Sequence, residues 1–246
     1  MWIPRWLGEA YAKLYVEFGC SPFKFRDAMS VLSLNENRVK VILSKLHTKG
    51  ILTLFDRGRP RIYRLISPEN FLLLASGKVR KIEVRQERYV PLIYACYGAL
   101  SEAVNLASLV LFGSVARGDA SKNSDLDLLV ISDDFEGSLG RRVEFLVRRV
   151  KPRLSGELSL LRRYGYNTFL SFYPLKCIEA KRFPIILLDV IWDGKIVYDK
   201  DGFFEKLALE FKSKLMKFGA KRVMMKGGWY WILKDQYEPL EVLPLE

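Results

Sequence analysis

The pattern of apolar positions in the first third of the chain predicts helices followed by a β-hairpin. The clearest helix carries an apolar stripe at positions i, i+3, i+4 and i+7, formed by Val39, Ile42, Leu43 and Leu46. Ser33 and Glu36 have capping-box spacing ahead of this stripe, and Gly50 supplies a stop after it. Two β-like runs follow at residues 51–55 and 61–66, and the glycine-containing loop between them is typical of a hairpin.

Three helices followed by a hairpin is the element order of a winged helix-turn-helix, which we place at residues 1–78. The exposed face of the third helix and the tip of the hairpin are basic and polar. Such a helix can lie in the major groove of duplex DNA, and arginines on the tip can reach phosphates. The predicted DNA-binding residues are Asn37, Arg38, Lys40, Lys45, Arg57, Arg59 and Arg61. The alternative is a small helical domain with a solvated charged face.

Charge and composition favour a soluble protein with a polyanionic partner. The formal net charge is +12, and residues 1–80 hold 14 Lys and Arg against 6 Asp and Glu. This excess favours DNA, RNA or a triphosphate. No apolar run approaches the roughly 20 residues that a membrane span requires, and no signal peptide is evident, so we expect a cytoplasmic protein without a membrane partner. Three widely spaced cysteines predict neither a disulfide framework nor a zinc cluster.

The remaining residues, 79–246, predict a sheet flanked by helices with a C-terminal helical extension. Residues 91–104 and 141–150 have the composition of flanking helices, and residues 203–218 form an amphipathic pattern. The charged stretch at residues 78–88 predicts a connector or a short exposed strand. The predicted fold class is therefore α+β, an N-terminal winged helix-turn-helix plus an α/β domain with a mixed sheet flanked by helices.

A strand-turn-helix pattern after residue 108 predicts a phosphate-binding turn. Residues 109–112 form a short apolar run, and Gly113 breaks it where a helical turn can begin. Free backbone amides at a helix start suit phosphate, and a glycine lets the backbone approach the ligand closely. Ser114 offers a hydroxyl donor, and Arg117 lies about one turn later, within reach of the same anion.

Two aspartates follow on an apolar strand and predict a metal site. Asp125 and Asp127 lie two residues apart, so on a strand both carboxylates point to one face. Mg²⁺ takes oxygen ligands in an octahedron and usually keeps waters, which leaves positions for triphosphate oxygens and for an attacking hydroxyl. Two close carboxylates repel without a cation. We therefore expect Asp125 and Asp127 to be catalytic residues that bind Mg²⁺ or Mn²⁺.

The stretch at residues 106–132 resembles the DNA polymerase β-like nucleotidyltransferase superfamily, especially its minimal-nucleotidyltransferase type. The matching residues are Gly113, Ser114, Ala116, Arg117, Gly118, Ser124, Asp125 and Asp127. The resemblance implies transfer of a nucleoside monophosphate from an NTP to a hydroxyl acceptor, with pyrophosphate leaving. It implies that the aspartates hold the metals and that Gly113 and Ser114 bind the triphosphate, and we add Arg117 and Ser124 to the predicted nucleotide-binding residues.

The chain departs from this superfamily at the third carboxylate, which completes the metal pair and helps to deprotonate the attacking hydroxyl. The expected strand, residues 167–174, contains no acid. The nearest substitutes are Glu157, Glu179, Asp189 and Asp193. Three functions therefore stay open. The first is a magnesium-dependent nucleotidyltransferase positioned by the winged helix, acting on a nucleic acid, a protein or a small molecule. The second is a DNA-binding regulator with a weak or inactive nucleotide-binding domain, and the third is a nucleotidyltransferase that modifies or neutralises a toxin partner.

Overall fold

The computed structural model describes residues 2–226 and 228–234, and its elements are as follows. The helices are α1 (Arg5–Phe18), α2 (Phe25–Leu32), α3 (Glu36–Thr48), α4 (Pro68–Ala75), α5 (Val90–Ala103), α6 (Gly113–Arg117), α7 (Leu139–Val150), α8 (Ser155–Arg163), α9 (Cys177–Ala180), α10 (Leu187–Asp193) and α11 (Phe203–Lys217). The strands are β1 (Phe23–Lys24), β2 (Leu52–Asp56), β3 (Ile62–Leu65), β4 (Ser108–Phe112), β5 (Leu126–Ile131), β6 (Leu170–Leu175), β7 (Lys195–Asp199), β8 (Lys221–Met225) and β9 (Gly228–Ile232).

The N-terminal part packs α1, α2 and α3 beside a three-stranded sheet in the order β1-β3-β2. The predicted capping box of α3 is wrong. Asn35 caps this helix, because its side-chain oxygen accepts a hydrogen bond from the Arg38 amide at 3.0 Å. Ser33 instead ends α2 in the left-handed conformation, with φ of 50°. The assignment of residues 1–78 as a winged helix stays a prediction.

A four-stranded mixed sheet forms the centre of the second part, in the order β6-β5-β4-β7. Strands β5 and β6 are parallel, whereas β4 is antiparallel to both β5 and β7. Alternate residues of β5 face two separate apolar clusters: Leu128 lies in the cluster that contains α5, and Leu129 lies in the cluster that contains α10 and α11. Helices therefore cover both faces of the sheet, and the predicted α+β class is confirmed.

The apolar side chains of the connector between the two parts are buried, whereas most of its charged side chains are exposed. Val79, Ile82 and Val84 belong to the same apolar cluster as the N-terminal helices and α5. The Ile82 amide donates to the hydroxyl oxygen of Tyr94 at 3.0 Å. The charged residues between these positions face outward. Alternation of charged and apolar residues therefore indicates here a segment that packs on the core along one side, as well as an exposed strand. The result is one apolar core that continues from the N-terminal part into the sheet.

A buried ion pair also joins the two parts. The Arg64 side chain on β3 is only 1% exposed, and its guanidinium donates to both carboxylate oxygens of Glu157 on α8, at 2.6 and 2.8 Å. The third guanidinium donor, Nε, bonds to the Cys20 carbonyl at 2.7 Å. A buried guanidinium is tolerated only with such partners, so the position of α8 against β3 is strongly specified.

A β-hairpin made of β8 and β9 follows α11, where the apolar pattern predicts only a helical extension. It is held against α10 by two tryptophan indoles that donate to Asp189, Trp229 at 2.9 Å and Trp231 at 3.3 Å. Arg222 on β8 forms a bidentate ion pair with Asp193. Over the described residues, none of the helices has the length and apolarity required to cross a membrane.

The Arg64–Glu157 pair predicts a large loss of stability when its acid is removed. Glu157→Ala leaves a guanidinium buried without its carboxylate, which costs about 3 kcal/mol of unfolding free energy. Chemical denaturation monitored by circular dichroism measures this loss. The control is Glu205→Ala, because Glu205 pairs with Arg80 at the surface, where both side chains are nearly half exposed; we expect a loss below about 1 kcal/mol there. Equal losses in the two variants would contradict the prediction.

Candidate active site

The turn between β4 and α6 brings the backbone of Gly113 against the carboxylate of Asp127. Gly113 has φ of 71°, a left-handed conformation that favours glycine. A Cβ atom at this position would overlap with Oδ2 of Asp127. The antiparallel register explains this proximity, because Phe112, the last residue of β4, lies opposite Asp127 on β5. The predicted phosphate turn and the predicted metal ligand are therefore in direct contact.

Helix α6 is a little over one turn long and projects from the sheet beside the two aspartates. No side chain caps its start, which leaves its first amides available to an anion. Ser114 lies at the second position of the helix, and its carbonyl accepts from the amides of Gly118 and Asp119 at the other end. Val115 and Ala116 are buried and anchor the helix in the core.

The Asp125 carboxylate is held by a residue from a distant loop. Asn167 donates its side-chain amide to Oδ1 of Asp125 at 2.6 Å and to the Asn123 carbonyl at 3.1 Å. The Asn167 backbone amide also bonds to the Lys122 carbonyl at 2.7 Å. Ser124 shapes the same loop, since its hydroxyl oxygen accepts from the Ser121 amide at 2.9 Å. No local pattern points to Asn167, which lies 42 residues after Asp125.

Burial raises the pKa of the Asp127 carboxyl above its usual range, and the negative charge of Asp125 adds to this effect. The hydroxyl of Ser171 donates a hydrogen bond to Asp127 and opposes the shift in pKa, as does the charge of Arg117. The two aspartates are therefore close enough to repel each other. A cation placed between them would relieve this repulsion.

The oxygen donors of the two aspartates are of the type that a magnesium ion prefers. Both offer carboxylate oxygens, and Mg²⁺ usually takes one or two protein carboxylates and completes its octahedron with water and substrate phosphates. Throughout residues 2–226 and 228–234, no group of three or more acidic, histidine or cysteine side chains could enclose a metal. The described residues could thus supply only part of a metal shell, and substrate oxygens would supply the rest.

Ser171 occupies the position where the third carboxylate of the superfamily is expected. Strand β6 lies beside β5 as predicted, and its register places Ser171 opposite Asp127. The four proposed substitutes are engaged elsewhere: Glu157 pairs with Arg64, Glu179 with Arg142, Asp193 with Arg222, and Asp189 accepts from Trp229 and Trp231. None of them is available to complete the metal shell.

The guanidinium of Arg117 lies between the aspartates and the C-terminal hairpin. It forms an ion pair with Asp119 at 3.2 Å, and its central carbon lies 4.6 Å from the ring centre of Trp229. Arg222 contacts the same ring at 4.1 Å, so the indole lies within reach of two guanidinium groups. Trp229 of the C-terminal hairpin thus packs directly on a predicted nucleotide-binding residue.

The predicted DNA-binding residues are all exposed, on α3 and on the hairpin of β2 and β3. Lys40 and Arg61 line one groove between these two elements. Arg57 differs from the others, because its guanidinium donates to Glu87 of the connector at 2.6 Å. Glu87 also accepts from the Leu54 amide and bonds to His47, both at 2.8 Å. Arg57 therefore contributes to the contact between the two parts of the chain.

Comparison with known proteins agrees with this geometry. A family model described as a nucleotidyltransferase domain matches residues 96–181, which include the turn, both aspartates and Ser171. A relative from Methanocaldococcus jannaschii, named "putative protein adenylyltransferase", is 33% identical over 101 residues, or 41% of this chain. The aligned residues span 64% of the length of that relative. The resemblance found in the motif is confirmed over residues 96–181, which match the nucleotidyltransferase domain model.

Proposed function

We propose that this protein is a metal-dependent nucleotidyltransferase that moves a nucleoside monophosphate from an NTP to a hydroxyl acceptor. The observation that carries the proposal is the contact between the Gly113 backbone and the Asp127 carboxylate. It places anion-binding amides beside a carboxylate pair, and a metal-bound triphosphate needs both at once.

Each part of the site has a role in this reaction. The amides at the start of α6 and the Ser114 hydroxyl would bind the triphosphate, and Arg117 would neutralise part of its charge. Asp125 and Asp127 would hold Mg²⁺, which stabilises the charge that develops on phosphate oxygens when it is bound. Asn167 would orient Asp125 through its hydrogen bond of 2.6 Å. Ser124 would keep the preceding loop in place.

The chemical step is an in-line displacement at the α-phosphorus. The oxygen of the acceptor hydroxyl forms a bond to this phosphorus while the bond to the oxygen that bridges to the β-phosphate breaks, and pyrophosphate leaves. The hydroxyl proton passes to solvent, because Ser171 lies where a third carboxylate would accept it. Missing general-base assistance costs roughly 100-fold or more in rate, so we propose a slow enzyme.

The name of the Methanocaldococcus jannaschii relative supports ATP as the donor and a protein hydroxyl as the acceptor.

The basic N-terminal part supports a nucleic-acid partner, because Lys40 and Arg61 share a groove and Arg38, Lys45 and Arg59 are exposed nearby along α3 and the hairpin. We propose that residues 1–78 form a winged helix that binds duplex DNA and locates the enzyme. Adenylyl transfer to a protein bound at the same DNA would use both features.

A second candidate function is a DNA-binding regulator whose nucleotidyltransferase domain binds a nucleotide without efficient turnover. The observation that favours it is Ser171 beside Asp127, since a neutral hydroxyl brings neither the negative charge nor the basicity that a carboxylate would supply to the metal site. In this second function, a bound nucleotide would act as a signal, and the DNA-binding part would respond to it by regulating at the DNA. The two candidates share the binding site and differ only in catalysis.

Removal of both carboxylates is expected to abolish transfer. The full chain, Mg²⁺ and α-³²P-labelled ATP should label an acceptor, and Asp125→Asn with Asp127→Asn should reduce labelling by about 100-fold or more, because the metal loses both protein ligands. EDTA should have the same effect on the wild-type protein. Asp201→Asn is the control, since this aspartate is exposed on the turn before α11. Unchanged labelling in the double variant would refute the assignment.

Gly113→Ala is expected to weaken nucleotide binding without unfolding the protein. The added methyl group collides with Asp127 and strains a left-handed turn, so the amides move away from the carboxylate. Titration calorimetry with ATP and Mg²⁺ should show affinity reduced by about ten-fold or more. Gly140→Ala is the matched control, because nothing lies within 4 Å of a Cβ at that position on α7. Wild-type affinity in Gly113→Ala would contradict the proposed turn.

Ser171→Asp distinguishes the enzyme from the regulator. A carboxylate at this position would complete the metal shell and accept the hydroxyl proton, so we expect kcat to rise by about ten-fold or more. Ser171→Asn has nearly the same shape without the charge and should not raise kcat. If neither the wild-type protein nor Ser171→Asp transfers a nucleotide to any acceptor while duplex DNA is bound selectively in gel-shift assays, the regulator is the correct function.

A further inference from the structure

A cleft of about 590 Å³ lies between the N-terminal part and the sheet, along the connector. Its walls come from the end of α3 and from β2 on one side, and from α6 and β7 on the other. Six cationic or histidine side chains line it, namely His47, Arg57, Lys81, Arg85, Arg117 and Lys195, against the two acids Glu83 and Glu87. The lining is therefore strongly basic.

Both acids already have cationic or hydrogen-bonding partners. Glu87 bonds to Arg57 and His47, and Glu83 pairs with Lys81 at 2.9 Å. Within the part of the chain that the structure describes, neither Arg85 nor Lys195 is in an ion pair. Both side chains are exposed and border the same cleft. Glu83 lies within electrostatic range of Lys195 but pairs with Lys81, so the cleft keeps an excess of positive charge, which favours an anionic ligand.

The floor of the cleft is apolar, unlike its rim. It is formed by the buried side chains of Leu52, Ile82, Val84 and Val90. A cavity of several hundred Å³ with an apolar floor and a few charged groups is the usual form of a small-molecule site. A nucleotide matches this composition, because its base and sugar present apolar faces and its phosphate is anionic.

The cleft is separate from the aspartate pair. Ala116 lines the cleft and packs in the apolar cluster that contains α5 and the connector. Asp127 lies on the opposite face of the sheet, because the next residue of β5 on its face, Leu129, packs in the cluster that contains α10 and α11. Among the predicted nucleotide-binding residues, Arg117 at the end of α6 is the one that also lines the cleft.

We propose that this cleft is a second anion-binding site, which takes a phosphate ester of nucleotide size. Arg85 and Lys195 bind its phosphate, and the apolar floor accepts its base and sugar. The ligand is a free nucleotide or the 5′-phosphorylated terminal nucleotide of a strand, which present the same chemistry. This site does not depend on whether the aspartate pair transfers nucleotides.

The connector gives such a ligand contact with both parts of the molecule. The Gln86 side-chain amide donates to the carbonyls of Gly118 at 2.7 Å and Ala120 at 3.3 Å, immediately after α6. The neighbouring Glu87 bonds to His47 on α3. A ligand bound between Arg85 and Lys195 therefore rests against a segment that holds both α6 and the recognition helix of the proposed winged helix.

Binding in the absence of metal tests the second site. The probes are a fluorescent ATP analogue and a short single-stranded oligonucleotide with or without a 5′ phosphate, each titrated into the full chain in EDTA. Arg85→Gln with Lys195→Gln should weaken binding of the preferred probe by about ten-fold or more, because two charge-assisted hydrogen bonds are lost. Asp125→Asn with Asp127→Asn should bind that probe as the wild-type protein does.

The matched control is Lys151→Gln with Lys217→Gln, which removes two positive charges from exposed positions outside the cleft. Preference for the ATP analogue identifies a free nucleotide as the ligand, and preference for the 5′-phosphorylated strand over its unphosphorylated form identifies a strand end. Two results overturn the proposal. One is equal weakening of binding in the Arg85/Lys195 variant and in the Lys151/Lys217 control. The other is binding that only the Asp125/Asp127 variant loses. Because EDTA removes the metal, failure of this test leaves metal-dependent transfer at the aspartates unaffected.

Discussion

The approach of the Gly113 backbone to the Asp127 carboxylate is the constraint on which the site depends. Strand β4 runs antiparallel to β5, so the residue that leaves β4 must pass beside the aspartate that lies near the start of β5. Only a residue without a side chain can turn there, with φ of 71°. The first amides of α6 consequently lie next to a carboxylate, and the metal-bound triphosphate of the proposed reaction would satisfy both.

Segments far away in the chain complete this local arrangement. Asn167 holds Asp125 from the loop before β6, and Trp229 packs against Arg117 from the C-terminal hairpin. The connector reaches the end of α6 through Gln86. Asp125, Arg117 and the end of α6 are therefore held by contacts that span 32 to 112 residues of sequence. Such long-range support is what keeps a charged site ordered in the absence of its ligand.

The N-terminal part is joined to the sheet by more than a linker. An apolar core runs through both parts, and the buried Arg64–Glu157 pair crosses between them. The connector adds Glu87, which bonds to α3 and to the hairpin arginine Arg57. The connector therefore contacts α3, the hairpin and the residues just after α6. A ligand bound on the surface of α3 could therefore change the geometry at α6 through this connector.

The sequence by itself determined the features that short-range patterns encode. The apolar stripe of α3, the hairpin after it and the strands around Gly113, Asp125 and Asp127 depend on spacings of a few residues, and local backbone geometry is enough to produce them. Only the tertiary structure decided that Ser171 faces Asp127, that Asn167 holds Asp125, that the apolar side chains of the connector join the core and that Arg57 pairs with Glu87. The physical reason is that strand register and packing select partners far apart in the chain, and hydrophobic periodicity carries no information about which distant residues will meet.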